Sequence, residues 1–514
     1  SGLELSRMVK TSGWNLPQIS TGIRGLDDIL HGGLPKDRIY LVEGDPGTGK
    51  TTLAMQFVLE GVRSGGKALY VTLSETKDEL IAMAQSHDWS LEGLHIVEMI
   101  PVEAHLTADS QYTFFHAEEI ELGETVKSIL DRVNAEQPTH LVIDSLAELR
   151  LLAQDPRRYR RQVLALKHYF AGKQTTALVL DDRTSADKEK QLYSIVHGVI
   201  SLERLPREYG RNRRRIEISK VRGADYIDGF HDYAITRGGM VIFPRLETQS
   251  HGGEFTRAML SSDLPNLDKL LGGGVDRGAA TLVVGPAGCG KTTLSMKYVA
   301  AAACRGEQAV MFVFDEGLGT LMARSDGLNL GLQSCINAGT LTVHQIDPAE
   351  MSPGEFAYRV RTSVETDNAK VVVIDSLNGY LTSMPQEQFL TLQLHELLSF
   401  LNERGVVTIL ILGQHGPLGQ QGSDVDLSYL ADTIVLLRFF EASGEIRRAI
   451  SVIKKRSSGH EHTIRELEIG KPEGLRIGRP LTGFRGILTG VPEFIGNVDV
   501  LFPPPSEGRN ERSK

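Results

Sequence analysis

Cysteine is scarce in this chain of 514 residues. Cys289, Cys304 and Cys335 form no Cys-x-x-Cys pair and stand at no metal spacing, so a disulfide scaffold and a zinc-built fold are excluded. His460 and His462 flank Glu461 without a further ligand at metal spacing, and the run reads as non-metal. No uncharged apolar run approaches the ~18 residues of a membrane helix, and no signal peptide is visible. With so few cysteines, the expected compartment is the reducing cytoplasm. Excess positive charge is absent too: 56 Lys and Arg face 65 Asp and Glu, for a net charge of -9. That balance argues against a general nucleic-acid coat and leaves room only for a local basic groove. The opening Ser1-Gly2 pair lacks a methionine and stays out of the fold reading.

What the chain does have is a repeat. Gly44 to Thr51 and Gly285 to Thr292 both fit G-x-x-x-x-G-K-T, and Lys50 and Lys291 are 241 positions apart. In such a loop, glycines let backbone N–H groups surround phosphate oxygens, the lysine pairs with the outer phosphates, and the threonine hydroxyl reaches Mg²⁺. The expected ligands are therefore ATP and Mg²⁺. The expected contacts are Gly44, Gly47, Thr48, Gly49, Lys50, Thr51 and Thr52 in one half, and Gly285, Gly288, Cys289, Gly290, Lys291, Thr292 and Thr293 in the other. Cys289 sits at a variable position of the motif and reads as a filler rather than a redox sensor.

The duplication reaches beyond the loops. Leu26-Asp27 recurs as Leu267-Asp268, and Gly32-Gly33 as Gly273-Gly274, at the same spacing. Each half shows an apolar strand, the loop, and a helix with apolar residues at helical spacing. A second strand follows, ending in Glu75 or in Asp315-Glu316. Farther on, buried-type strands end in Asp144-Ser145 and Asp375-Ser376, the pattern of a magnesium-supporting carboxylate. Alternating strands and helices predict an α/β fold with a mainly parallel sheet flanked by helices. The stretch from His105 to Glu121 reads as an inserted loop. Polar, Gly-rich sequence around Glu247 to Gly253 marks the junction. The expected domains are 1–250 and 251–490, with a short flexible tail over 491–514.

Phosphoryl transfer also needs a base and cationic charge. Glu75, and the Asp315/Glu316 pair, end the strand beside the phosphate-loop strand and are the candidate bases. Lys220 with Arg222, and Lys454 with Arg456, are spaced i, i+2 on strands and so share a face. Each pair reads either as a guard on an exposed strand edge or, in a ring, as a cationic finger reaching a neighbouring subunit's triphosphate. Arg157, Arg158, Arg160 and Arg161, and Arg211 with Arg213 to Arg215, read as solvated faces or contact arms before nucleic-acid grips.

Five motif sets carry a resemblance covering nearly the whole chain: His31 to Pro35, the two phosphate loops, Ile143 to Leu146 with Ile374 to Leu377, Ser219 to Gly223, and Ala431 to Arg438 leading into Gly444 to Arg456. On these the sequence resembles the KaiC family of double-lobed RecA-like P-loop ATPases. The resemblance implies two tandem RecA-like domains, a two-tiered homohexamer with ATP between subunits, hydrolysis in the first ring, and autokinase with autophosphatase activity in the second. It places the phosphoacceptors at Ser428 and Tyr429, with Ser194 at the comparable place in lobe 1. A KaiB-like partner on lobe 1 is compatible with it. Gly490 to Lys514 shows no counterpart of the segment that receives a KaiA-type activator, so no such dependence is expected. Two alternatives stay open: a conformational timer that hydrolyses ATP without a kinase reaction, and a RecA-related DNA repair or recombination ATPase.

Overall fold

The computed structural model describes residues 16–99, 117–183, 190–207, 209–246, 258–382, 390–414, 429–442, 444–470, 474–488 and 492–495. The chain divides into two compact units, Ser1–Arg245 and Leu246–Lys514.

Lobe 1 is a nine-stranded sheet of β1 (Ile39–Gly44), β2 (Ala68–Thr72), β3 (Leu94–Glu98), β4 (His140–Asp144), β5 (Thr176–Asp182), β6 (Gly198–Leu205), β7 (Arg213–Val221), β8 (Phe230–Thr236) and β9 (Gly239–Phe243). Their spatial order is β9-β8-β7-β6-β1-β5-β4-β2-β3. The stretch from β6 to β3 is parallel throughout. Among the helices are α1 (Lys50–Arg63), α2 (Lys77–Ser86), α3 (Ala117–Glu136) and α4 (Pro156–Phe170). β1 is buried along its whole length, as expected for a central strand covered on both faces. Its side chains alternate between two cores. Tyr40 and Val42 pack in the core that holds Leu53 and Phe57 of α1. Ile39 and Leu41 pack in the core that holds Tyr159, Val163 and Leu166 of α4.

Lobe 2 repeats this plan with β10 (Ala279–Pro286), β11 (Ala309–Val313), β12 (Leu341–Gln345), β13 (Val371–Asp375), β14 (Val407–Gln414), β15 (Thr433–Ala442), β16 (Glu445–Lys455), β17 (Arg465–Gly470) and β18 (Gly474–Pro480). The order β18-β17-β16-β15-β10-β14-β13-β11-β12 matches lobe 1 strand for strand. α5 (Lys291–Cys304) carries one core, and α6 (Pro353–Glu365) and α7 (Leu390–Glu403) carry the other. The tandem, mainly parallel α/β expectation holds.

Three features differ from the sequence reading. The strands that lead to Glu75 and to Asp315 and Glu316, β2 and β11, do not lie beside the phosphate-loop strands β1 and β10 but are separated from them by two strands. Within the stretch expected to be a loop, α3 begins at Ala117; residues 105–116 lie outside the described residues. Each parallel sheet also continues into a three-strand antiparallel extension, β7-β8-β9 or β16-β17-β18. Connections this short join only antiparallel neighbours. Along β7, apolar Ile216 and Ile218 are buried while Glu217 and Ser219 at the alternate positions are less so, the alternation of a strand with one covered face.

Candidate functional site

α1 starts at Lys50 after the loop that leaves β1, with Gly49 as its N-cap at φ 100°. α5 starts at Lys291 after Gly290, at φ 106°. A side chain there would be strained in φ and would also collide: a Cβ at Gly49 would lie 2.6 Å from Ile235 Cδ1, and one at Gly290 2.3 Å from Ile469 Cδ1. Neither helix has a side-chain cap or an acidic residue in its first turn. By contrast, α2 closes its own N-terminus with a capping box of Thr76 and Glu79. The first amides of α1 and α5 and their positive dipole ends are thus left for an external anion. The loop of lobe 1 is braced from below, where the Tyr233 hydroxyl donates to the Thr48 carbonyl at 2.6 Å.

The parallel strands converge here. Gly44 lies opposite Asp182 across β1 and β5, and Thr72 opposite Asp144 across β2 and β4. Thr51 Oγ1 donates to Asp144 Oδ2 at 3.3 Å, and Thr292 Oγ1 to Asp375 Oδ2 at 2.6 Å. Burial pushes both carboxyls up, opposed by these hydroxyls and the loop lysines; a nearby cation would favour their charged form. The metal expected from the sequence is Mg²⁺. A hydroxyl and one carboxylate per site suit a hard cation held by few protein oxygens and by substrate phosphates. No cluster of three or more His, Cys, Asp or Glu able to hold a metal exists among the described residues, so the donor set fits Mg²⁺ better than a fully protein-ligated ion.

Glu75 reaches the same centre. Its carboxyl is raised by burial first, then by Asp144 and Glu79, and opposed by Lys50. In lobe 2 the candidate bases are more tied up: Glu316 is ion-paired with Arg324, and Asp315 accepts from Ser376. Both still sit close enough to Asp375 for their charges to raise its carboxyl. The Glu75 shift sets a pH dependence. With Glu75 as the base, which must be ionised, lobe 1 hydrolysis is expected to fall as pH drops through a pKa higher than that of a free glutamate. Glu79→Gln keeps the capping box but removes a charge that raises Glu75. With lobe 2 silenced by Lys291→Ala, its acid limb in a pH–rate profile is expected at lower pH than the parent's.

The cation pairs lie elsewhere. Lys220 donates to the carbonyls of Tyr193 and Val196, and Arg222 to that of Ser194. Lys454 donates to the Ala431 carbonyl, and Arg456 to Asp432 and to the Tyr429 carbonyl. Each pair closes over the turn that precedes β6 or β15, with Arg222 and Arg456 just past the ends of β7 and β16. β7 and β16 are interior strands, but their outer neighbours pair with them only as far as Glu217 and Ile450, so the strand edge beside each cation pair is open and the edge-guard reading stands beside the finger reading. Lys220 lies beside Val199, next to the Gly198 that pairs with Tyr40 at the start of β1. The phosphate loop follows the other end of β1, about 13 Å away at the strand rise. Each pair thus sits at the far end of the sheet from its own phosphate loop. The same register corrects one correspondence: Gly198 and Thr433 occupy matching places beside Tyr40 and Thr281, so Ser194 matches Tyr429. Ser428 lies outside the described residues. Tyr429 is exposed.

The KaiC ATPase family model matches residues 19–247 and again 260–482. The chain belongs to the KaiC ATPase family. It is 27% identical to the circadian clock oscillator protein KaiC of Parathermosynechococcus lividus, over 94% of this chain and 89% of the relative. It is 28% identical to the protein of that name from Acaryochloris marina, over 92% and 91%. The circadian clock protein KaiC3 of Synechocystis is 26% identical, over 94% and 96%.

Against this KaiC-type plan, three residues of the site escaped the sequence reading. Tyr70, fully buried, donates to Asp144 Oδ2 at 2.6 Å; its lobe 2 equivalent by position is Met311. Asp182 forms an ion pair with Lys50 at 2.8 Å. Arg204 approaches the loop, with NH1 3.3 Å from where a Cβ would stand on Gly47. An Asp-Asp run ending a strand beside the phosphate-loop strand was the available signal for Asp182. Cys289 is buried, its thiol pushed up by burial, with Sγ 2.8 Å from where a Cβ of Gly285 would stand. A raised pKa means little thiolate, in keeping with a filler. Of the basic runs, Arg213 is buried against Asp232 at 2.8 Å, and Arg215 pairs with Glu203. No helix among the described residues is long and apolar enough to cross a membrane.

Proposed function

We propose that this KaiC-family ATPase is a cytoplasmic homohexamer in which lobe 1 hydrolyses ATP and the ATP held by lobe 2 phosphorylates Ser428 of the neighbouring subunit, the phosphorylation state serving as the signal. The observation that carries this reading is the placement of both Lys–Arg pairs at the end of the sheet remote from their own loops. A cation pair so placed is out of reach of its own triphosphate, and any triphosphate it serves is held by another subunit, which fits a ring with ATP between protomers. Lobe 1 is also where a KaiB-like partner would bind.

In lobe 1 the first amides of α1, Lys50 and Gly47 to Thr52 hold the triphosphate, and Thr51 with Asp144 would hold Mg²⁺. When bound, Mg²⁺ neutralises charge on the outer phosphates. Glu75 takes a proton from the attacking water, and Lys220 with Arg222 of the adjacent subunit face the charge developing on the transferred group. In lobe 2, Lys291, Thr292 and Asp375 repeat the cradle. The Ser428 hydroxyl oxygen bonds to the γ-phosphorus as the bond to ADP breaks, and its proton passes to Asp315 or Glu316. Arg456 holds the Tyr429 carbonyl, so the acceptor segment and the cation pair travel together.

Incubation with γ-labelled ATP is expected to label the wild-type protein, Ser428→Ala to lose most of the label, and Tyr429→Phe to keep it. No label on the wild type removes the kinase step and leaves an ATPase that uses hydrolysis as a conformational timer, while undiminished label on Ser428→Ala removes Ser428 as the acceptor.

A further inference from the structure

The two lysines of the phosphate loops are not in equivalent surroundings. Lys291 donates to the Pro286 carbonyl at 2.8 Å and is within ion-pair distance of no carboxylate among the described residues. Lys50 donates to the Gly44 carbonyl at 2.7 Å and also pairs with Asp182 Oδ1 at 2.8 Å. The lysine side chain is 11% exposed and the aspartate 45% exposed. The carboxylate is therefore half in solvent and able to turn away, while the ammonium has few other places to go. Backbone register fixes the pairing, because Asp182 is opposite Gly44 where β1 enters the loop. At the matching place in lobe 2 the partner of Gly285 is Gly413, which has no side chain. Asp182 is also close enough to Asp144 for its charge to raise that carboxyl.

We propose that Asp182 is a tethered competitor for Lys50, occupying the ammonium that the outer phosphates of a nucleotide require, so that lobe 1 holds nucleotide more weakly and releases it more readily than lobe 2. One ammonium cannot hold a carboxylate and a phosphate at full strength together. Nucleotide must displace the carboxylate, and the apparent dissociation constant rises by the reciprocal of the fraction of Lys50 that is free. A half-exposed carboxylate leaves that fraction appreciable, so the effect is a tuning of affinity rather than a block. Lobe 2 lacks the competitor and is built to retain its nucleotide. This inference rests on nucleotide binding in lobe 1, as read above.

The experiment measures ADP and ATP binding, with Mg²⁺, to the full chain carrying Lys291→Ala, by displacement of a fluorescent ADP. Adding Asp182→Asn is expected to tighten binding about three- to tenfold and to slow nucleotide release. Asp45→Asn removes an equal charge from the same loop but leaves the Lys50–Asp182 pair intact, and is expected to have a smaller effect. Three results overturn the proposal: unchanged affinity in Asp182→Asn, weaker affinity, which would make Asp182 a ligand-supporting group, or an equal gain from Asp45→Asn, which would make the effect a general field. A background protein that binds nothing, whose Asp182→Asn form also binds nothing, would sink the nucleotide reading of lobe 1 together with this one. Measurable, equal affinities sink the competitor alone.

Discussion

Glu75→Gln is expected to slow lobe 1 hydrolysis by about a hundredfold to ten-thousandfold, the usual worth of a positioned general base, while ATP still binds. The substitution keeps size and hydrogen-bonding capacity and removes only the ability to take a proton. Glu75 stands apart from the other acidic residues at the site. Asp144 is engaged by Thr51 and Tyr70, and Asp182 by Lys50. The Glu75 carboxyl is raised by burial and by neighbouring negative charge, which brings a carboxylate base closer to working pH. Phosphate release from the Lys291→Ala protein, with and without Glu75→Gln, measures the effect, and nucleotide binding is the control. A rate within a few-fold of the parent would return Glu75 to the status of a solvated strand end. The same substitution should leave phosphoryl transfer by lobe 2 intact when assayed in a chain whose Lys291 is restored.

The parts legible in the sequence were those written locally. Gly44 to Thr51 spells its own function, because loop, lysine and threonine are successive residues that must surround one phosphate chain. The strand end at Asp144 was legible because a run of buried-type residues closing on an acid has few other readings; Glu75 was legible as an acid after a strand, but not that β2 stops at Thr72 and lies two strands from β1. Lys220 and Arg222 were legible as a pair through i, i+2 spacing. What they touch was not, since the carbonyls of Tyr193, Ser194 and Val196 are backbone atoms brought near by a hairpin. The contacts of Tyr70 with Asp144 and of Asp182 with Lys50 span 74 and 132 positions and depend on which strands lie side by side. Sequence periodicity carries the face of a strand but not its neighbour. The antiparallel extensions escaped for the same reason. The ion pair of Glu316 with Arg324, across a strand end and the helix after it, likewise has no signature in spacing, and it separates two sites that looked interchangeable.

Lys220→Ala combined with Arg222→Ala is expected to cost lobe 1 hydrolysis up to about 10³-fold, the lower end of what a full cationic finger supplies. Loss of rate alone does not prove action across subunits, because both side chains also clamp the turn before β6 in their own chain. Mixing separates the two roles. A protein lacking the cation pair and a protein carrying Glu75→Gln are each nearly inactive alone. In mixed rings assembled at equal amounts, about a quarter of the interfaces join an intact Glu75 on one side to an intact cation pair on the other. Hydrolysis is then expected to recover to about a quarter of the parent rate, since every complete site draws its loop and its cations from different chains. If the cations served their own lobe, no mixed ring would contain a complete site and mixing would restore nothing. Phosphate release from the mixture, compared with the sum of the separate proteins, therefore decides between a finger reaching outward and a clamp holding its own turn.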